Sequence, residues 1–333
     1  MATVRVQELQ PGSELPESVF SSPEPVLLPG YISHWPVVQQ ARKSDEALAD
    51  YLSRFDAQHP VTVYVGDEKM AGRYFYNEDF SGFNFKSGNA TLAQVLGRLL
   101  SPSVEDGISS IYVGSTPVER WLPGFKTEND VGLPVTDPLM NFWLGGRTTI
   151  SAHFDFPDNL ACVGAGKRRF NLFPPEQIDN LYIGPIDRTP AGQAISLVNF
   201  DQPDLDEHPK FKQALEHRVQ ADLEPGDALF IPSMWWHQVS ASDTVNLLIN
   251  YWWALAPLHV GSPMGALNHA LLAIRELPER QRTAWKKLFD YYVFSAGENV
   301  TAHIPPAGRG MLEKLDDQTV RRVRDDLIDR LKP

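Results

Sequence analysis

Two residues apart in an apolar and aromatic run stand His153 and Asp155, within Asn141–Pro175, NFWLGGRTTISAHFDFPDNLACVGAGKRRFNLFPP. In a β-strand, residues i and i+2 point to one face. An imidazole and a carboxylate would therefore aim side by side into whatever that face covers. A second block, Pro225–Trp253, PGDALFIPSMWWHQVSASDTVNLLINYWW, adds His237 behind Trp235 and Trp236. Two imidazoles and one carboxylate form the facial set that holds non-haem Fe(II) and leaves coordination positions open. The His-x-Asp pair alone is common, and a core histidine satisfied by a nearby aspartate gives the same text. The later histidine, in a tryptophan-rich strand after a turn, favours metal. His153, Asp155 and His237 are thus the expected metal ligands and the catalytic residues.

Positioning them falls to short strands separated by Gly, Pro and Asp turns, from Phe142 to about Trp253. Glu224-Pro225-Gly226-Asp227 is a turn ahead of the strand Ala228–Ile231. Many short strands with turn signals suggest a barrel or sandwich. Residues 182–213 are polar, proline-punctuated and weakly periodic, and read as a long insertion beside the barrel. Upstream, Ser44 starts a helix with Ala47, Leu48, Tyr51, Leu52 and Phe55 on one face, and Val61, Val63 and Val65 alternate as a strand. Thr91-x-x-Gln94 is a capping box before Leu92, Val95, Leu96 and Leu99. After Pro263 the apolar residues fall at helical spacing. The expected division is an N-terminal α/β segment (1–110), a catalytic barrel (111–260) and a C-terminal helical region (261–333).

The 333 residues, 42% hydrophobic, suffice for one large domain with a helical appendage. A formal charge of -12 argues against nucleic acid or an anionic membrane as partner. The lone Cys162 excludes a disulfide framework and a thiolate zinc site, and reads as a buried structural thiol. The N-terminal text has no apolar signal core and no run of about 20 apolar residues occurs, so a cytoplasmic location is expected.

The sequence resembles the cupin-like JmjC oxygenases, in particular the branch around the asparaginyl hydroxylase that acts on hypoxia-inducible factor. The matching text is His153-x-Asp155-x-x-x-Asn159, Gly166-Lys167-Arg168-Arg169-Phe170 running into Leu172-Phe173-Pro174-Pro175, then Pro225–Pro232 with Trp235-Trp236-His237, and Asn250-Tyr251-Trp252. The resemblance implies a mainly β fold with a double-stranded β-helix (jelly-roll, cupin) core. It also implies Fe(II) and 2-oxoglutarate, and hydroxylation of a C–H bond of a protein or peptide side chain, with a small-molecule substrate as an option. A non-catalytic cupin-type metal- or ligand-binding protein is the alternative. The family's usual lysine for the far carboxylate of 2-oxoglutarate falls on Arg168, with Lys167 on the opposite face by strand alternation. Tyr112, Asn159, Asn250 and Trp252 match other cosubstrate-site positions. The family's threonine three residues before the metal histidine is Ile150 here, flanked by Thr149 and Ser151 at the wrong parity. The C-terminal helices match the family's dimerisation region in position, which implies a homodimer.

Overall fold

The structure is a computed structural model that describes residues 2–101, 107–253, 261–295, 298–313 and 315–332. It divides into two compact units, Met1–Trp253 and Ala254–Pro333. The expected boundary between 260 and 261 adjoins residues 254–260, which lie outside the described residues.

The strands of the first unit are β1 (Ala2–Thr3), β2 (Arg5–Val6), β3 (Val26–Leu28), β4 (Val61–Gly66), β5 (Arg73–Tyr74), β6 (Lys86–Ala90), β7 (Ser110–Pro117), β8 (Leu139–Gly145), β9 (Thr148–His153), β10 (Asp158–Ala165), β11 (Arg168–Phe173), β12 (Val219–Leu223), β13 (Ala228–Ile231), β14 (Trp236–Ala241) and β15 (Asn246–Trp253). They form a six-stranded sheet in the order β1-β12-β11-β14-β9-β5 and a nine-stranded sheet in the order β2-β3-β13-β10-β15-β8-β7-β4-β6. The fold is thus mainly β with a jelly-roll, cupin-type core, as the sequence resemblance implied. The first 110 residues enter both sheets, since β1 and β5 join the smaller one and β2, β3, β4 and β6 the larger.

Burial explains the layers. β10 is buried along all of its length, so its sequence DNLACVGA reads as a near-continuous apolar run rather than an alternating one. Its inner face meets the other sheet in a core of Ala161, Val163, Phe170, Leu172, Leu223, Leu229 and Ile231. Each such large aliphatic or aromatic side chain contributes about 1.5–3 kcal/mol on burial. On the outer face of the large sheet, Phe142, Leu144, Leu160, Phe230 and Ile249 pack against Trp35, Val37, Val38, Leu48, Leu52, Leu96 and Leu99. Those last residues come from helices 36–41, 45–53 and 92–100. Ser44 Oγ accepts from Ala47 N–H, and Thr91 and Gln94 form the capping box.

Residues 182–213 do more than the polar reading of their sequence suggests. Val198, Phe200 and Phe211, with Leu181 and Ala214 at the two ends, close over Phe173, Ala152 and Trp236 on the outer face of the small sheet. The segment is a packed annex whose apolar residues carry no regular period because most of it is neither helix nor strand.

A tight turn at Gly166 carries the chain from β10 of the large sheet to β11 of the small one. Gly166 sits at φ +69, and a Cβ there would come within 2.1 Å of Asn246 Oδ1, so only glycine fits this turn. Arg168, the first residue of β11, is thereby fixed opposite Ala241 of β14 and Leu223 of β12.

The second unit is helical. Residues 263–274, 279–289 and 317–331 are its longer helices, capped at Ser262 and Asp316 by side-chain oxygens. Only Val300 and Val320 are buried apolar residues among those described there, while Leu272 and Phe294 are 76% and 75% exposed. Among the described residues no helix is long and apolar enough to cross a membrane.

Candidate metal centre and its cavity

The two histidines face each other across a pair of antiparallel strands. His237 of β14 is the direct register partner of His153 at the end of β9, and their ring centroids lie 4.4 Å apart. His153 Nδ1 lies 2.9 Å from the Ser151 carbonyl and His237 Nδ1 lies 2.9 Å from the Trp235 carbonyl. A carbonyl only accepts, so each Nδ1 carries the hydrogen and each Nε2 presents its lone pair to the space between. Burial, then the neighbouring His153, lowers the His237 pKa to about 4, with Asp155 opposing. That imidazole is therefore neutral at pH 7, the state a metal ligand needs.

Asp155 lies past the end of β9, in a loop. A plain strand would have set it beside His153 by alternation; here a brace does so. Met234 N–H donates to the Asp155 carbonyl at 2.9 Å, Ser233 Oγ donates to the Phe156 carbonyl at 2.6 Å, and Ser233 N–H donates to Asp158 Oδ1 at 2.8 Å. Met234 adopts φ +68 to make this contact. The turn that leads into His237 thus holds the loop that carries Asp155. Asp155 Oδ2 stands 3.6 Å from His237 Nε2. One ligand atom from each of the three residues lies within 4.8 Å of the others. A neutral, Nε2-directed imidazole pair with one carboxylate fits Fe(II) in its donor set.

The three side chains open into a cavity of about 580 Å³. Arg168 lines it too, and its environment is unusual. The residue is 5% exposed, its Nε has no hydrogen-bond partner, and burial pulls its guanidinium down to about 10. No carboxylate pairs with it among the described residues. A buried charge left unpaired costs several kcal/mol. Its neighbours point away: Lys167 pairs with Glu224 at 2.9 Å and Arg169 with Asp222 at 2.6 Å, both at the surface.

Tyr112, Asn159, Asn250 and Trp252 also line the cavity. Tyr112 is stacked 6.2 Å from Trp143, close enough to Arg168 to feel its charge, with its phenol pKa raised by burial. Trp143 Nε1 donates to Asn250 Oδ1 at 2.8 Å, and Asn250 Nδ2 donates to Asn159 Oδ1 at 3.2 Å. Trp252 packs edge-on to Trp143, and its own Nε1 is buried without a partner. Cys162 is fully buried, with its thiol pKa raised by burial, outside this chemistry.

One local expectation needs correction. The pairing of β9 with β14 slips between His153/His237 and Ile150/Val239, so β9 carries one extra residue. Counted from His153, plain alternation puts Ser151 on its face and Ile150 on the other; this bulge brings Ile150 into the same cavity wall as Ser151 and His153. Ser151 Oγ is buried without a partner. Thr149 faces away, 3.3 Å from Ser240 Oγ. Sequence reasoning also missed Tyr64, Tyr74 and Phe85, which reach the cavity from the N-terminal segment; the aromatic density of residues 74–85 was the available signal.

Comparison with known proteins agrees with this layout. Residues 12–257 match the family model described as cupin-like domain. Lysine-specific demethylase JMJ31 of Arabidopsis thaliana is 36% identical over 117 residues, 34% of this chain and 20% of that protein. tRNA wybutosine-synthesizing protein 5 of Mus musculus is 31% identical over 163 residues, 44% and 46% of the two chains. HSPB1-associated protein 1 of Homo sapiens is 36% identical over 148 residues, 43% and 29% of the two. The chain thus spans less than half the length of these relatives. With a matched region that takes in both sheets but for their edge strands β1 and β2, and all three metal-facing side chains, the chain belongs to the cupin-like, JmjC-type domain family of Fe(II)/2-oxoglutarate-type oxygenases.

Proposed function

We propose that the protein is an Fe(II)- and 2-oxoglutarate-dependent oxygenase that hydroxylates a C–H bond. The observation that carries this is the unpaired, buried Arg168 in the wall of the same cavity as the His153–Asp155–His237 set. A metal-binding fold alone has no use for a second, cationic anchor. His153, Asp155 and His237 would hold iron, and Arg168 would take the far carboxylate of 2-oxoglutarate as a two-pronged charge-assisted donor. When bound, iron and 2-oxoglutarate supply an oxidative decarboxylation coupled to insertion of one oxygen atom into a C–H bond. The chain itself fixes both imidazole tautomers through backbone carbonyls, braces Asp155 through Ser233 and Met234, and lines the space with Trp143, Trp252, Phe170 and Leu248, which keep bulk water out. Tyr112, which lines the cavity close enough to Arg168 to feel its charge, would add a donor there.

Ile150 supports a second reading, a cupin-type protein that binds metal and ligand without turnover, because it puts an apolar group where the resemblance calls for a hydroxyl. Anaerobic titration with Fe(II) and 2-oxoglutarate, followed by succinate measurement in air, separates the two. Binding of both with succinate formed supports the oxygenase; binding of both without succinate favours the second reading. The names of two relatives point to a lysine and to a tRNA. A net charge of -12 disfavours the tRNA. We propose a cytoplasmic location, and a homodimer through the C-terminal helices, where Leu267, Leu272, Trp285 and Leu288 are exposed. Light scattering that finds a monomer at micromolar concentration removes the dimer.

A further inference from the structure

A run of easily oxidised rings leads away from the metal end of the cavity. Trp252 starts it: the residue lines the cavity, and its register partner is Asn159, on the strand that follows Asp155. Trp143 packs edge-on to Trp252, with 5.9 Å between ring centroids. Tyr112 stacks 6.2 Å from Trp143, and Tyr64 lies 6.3 Å from Tyr112. These are the spacings of packed aromatic pairs. The last three rings converge on Gly114. A Cβ there would lie 3.4 Å from Tyr112 Cε1 and 3.5 Å from both Trp143 Cζ3 and Tyr64 Cε2. A side chain longer than that of alanine would wedge the rings apart.

The rings differ in what they can do with a proton. Loss of one electron makes an indole or a phenol a strong acid, so a radical settles where that proton can leave. Trp252 Nε1 is buried without a partner, and Trp143 Nε1 donates to the Asn250 amide oxygen, a feeble base. Tyr112 is buried beside Arg168, whose positive charge opposes a second one there. Tyr74, 5.5 Å from Tyr112, is a side branch. It too is buried, its Oη donates to the Tyr64 carbonyl at 3.1 Å, and the next ring is Phe85, which is far harder to oxidise. Tyr64, unlike Tyr112 and Tyr74, is partly exposed, and its strand β4 adjoins the edge strand β6. Tyr64 is thus the phenol whose proton water can take.

We propose that Trp252, Trp143, Tyr112 and Tyr64 form an electron relay that discharges the metal centre into the Tyr64 phenol when no substrate C–H bond is in reach. This rests on the oxygenase reading. The oxidant is the iron centre itself, raised above the ferric state by O2 and 2-oxoglutarate. Tyr64 gives up one electron, which passes inward through Tyr112, Trp143 and Trp252, and its phenolic proton goes to water. The iron centre gains that electron with one proton from water and ends ferric, while Tyr64 is left as a neutral phenoxyl radical. The oxidising equivalent leaves the cavity instead of adding oxygen to the rings that line it, which is one way a site suppresses a competing reaction.

The test loads the full-length protein anaerobically with Fe(II) and 2-oxoglutarate, mixes it with O2 in the absence of any substrate, and freeze-quenches it for electron paramagnetic resonance. Ring-deuterated tyrosine identifies a tyrosyl radical by its narrowed hyperfine pattern. Tandem mass spectrometry of the spent protein then locates added oxygen. The expected result is a tyrosyl radical that Tyr64→Phe abolishes, with added oxygen on Trp252 and Trp143 rising severalfold in that variant. Trp143→Phe, checked for folding by circular dichroism, should lose the radical although Tyr64 is still present. A tyrosyl radical that survives either substitution overturns the proposal. So does 2-oxoglutarate consumed with no tyrosyl radical in the wild type, or oxidation of Trp252 that Tyr64→Phe leaves unchanged. Binding of 2-oxoglutarate without consumption leaves the relay nothing to discharge and overturns it as well. Failure of 2-oxoglutarate to bind instead defeats the oxygenase reading beneath it.

Discussion

The metal-facing wall of the cavity and its Arg168 wall are built on opposite plans. At the metal set every orienting group is already engaged: both Nδ1 atoms are on carbonyls, and the Asp155 loop is stitched to the turn before His237. At Arg168 the described residues leave a guanidinium without a carboxylate and a buried Nε without an acceptor. Under the proposed function the first would hold a cation directly, and the second would be completed by an anion. This contrast separates a metal cupin from a two-component site, because a stable scaffold gains nothing from an unpaired buried charge.

The largest expected effect breaks the metal set. His153→Ala should cut metal-dependent succinate formation by more than about 100-fold, beyond what loss of a ligand-orienting partner costs, with an unchanged circular dichroism spectrum. Retained turnover would remove the proposed centre. Next, Arg168→Leu should raise the 2-oxoglutarate dissociation constant about 10- to 100-fold, in line with charge-assisted hydrogen bonds of roughly 1.5–3 kcal/mol. The same change should leave apo-protein melting equal or higher, since a lone buried charge is relieved. Wild type should gain about 2.7 kcal/mol at ligand 100-fold above its dissociation constant, and the variant at that same concentration far less. A loss of apo stability comparable to a core truncation would show that Arg168 is structural.

Smaller still, Ser233→Ala removes one hydrogen bond from the brace. It should weaken Fe(II) binding roughly tenfold and cost about 1 kcal/mol of stability, measured by anaerobic metal titration and denaturant unfolding. Unchanged metal affinity would mean that the Asp155 loop holds itself. Lys167→Ala closes the series. Its exposed pair with Glu224 is worth about 0–1 kcal/mol, and 2-oxoglutarate affinity should not move. A larger loss there than at Arg168, read by calorimetry, would put the anion on the other face of β11.

Much of this site is legible in the text of the chain. The two-residue period of strands separates Arg168 from Lys167 and Arg169 without coordinates. His237 is recognisable because a Pro-Gly-Asp turn and a tryptophan pair announce a buried strand. Other parts hide in pairing rather than pattern. The extra residue in β9 exists only relative to β14, so Ile150 cannot be placed in the cavity by counting parity from His153. The brace on Asp155 joins segments about 75 residues apart, and each of its bonds uses at least one backbone group, which every sequence shares. The annex escapes notice because irregular segments bury Val198, Phe200 and Phe211 with no repeat to detect.

That annex has one further consequence. It stands on its own small apolar foundation against the back of the six-stranded sheet, yet Pro190–Gln193 within it reach round to the cavity. Residues 187–193 can therefore lengthen, shorten or change in lineages that keep the His153–Asp155–His237 set intact. Natural selection could retarget such an enzyme by editing a cornice rather than its hearth.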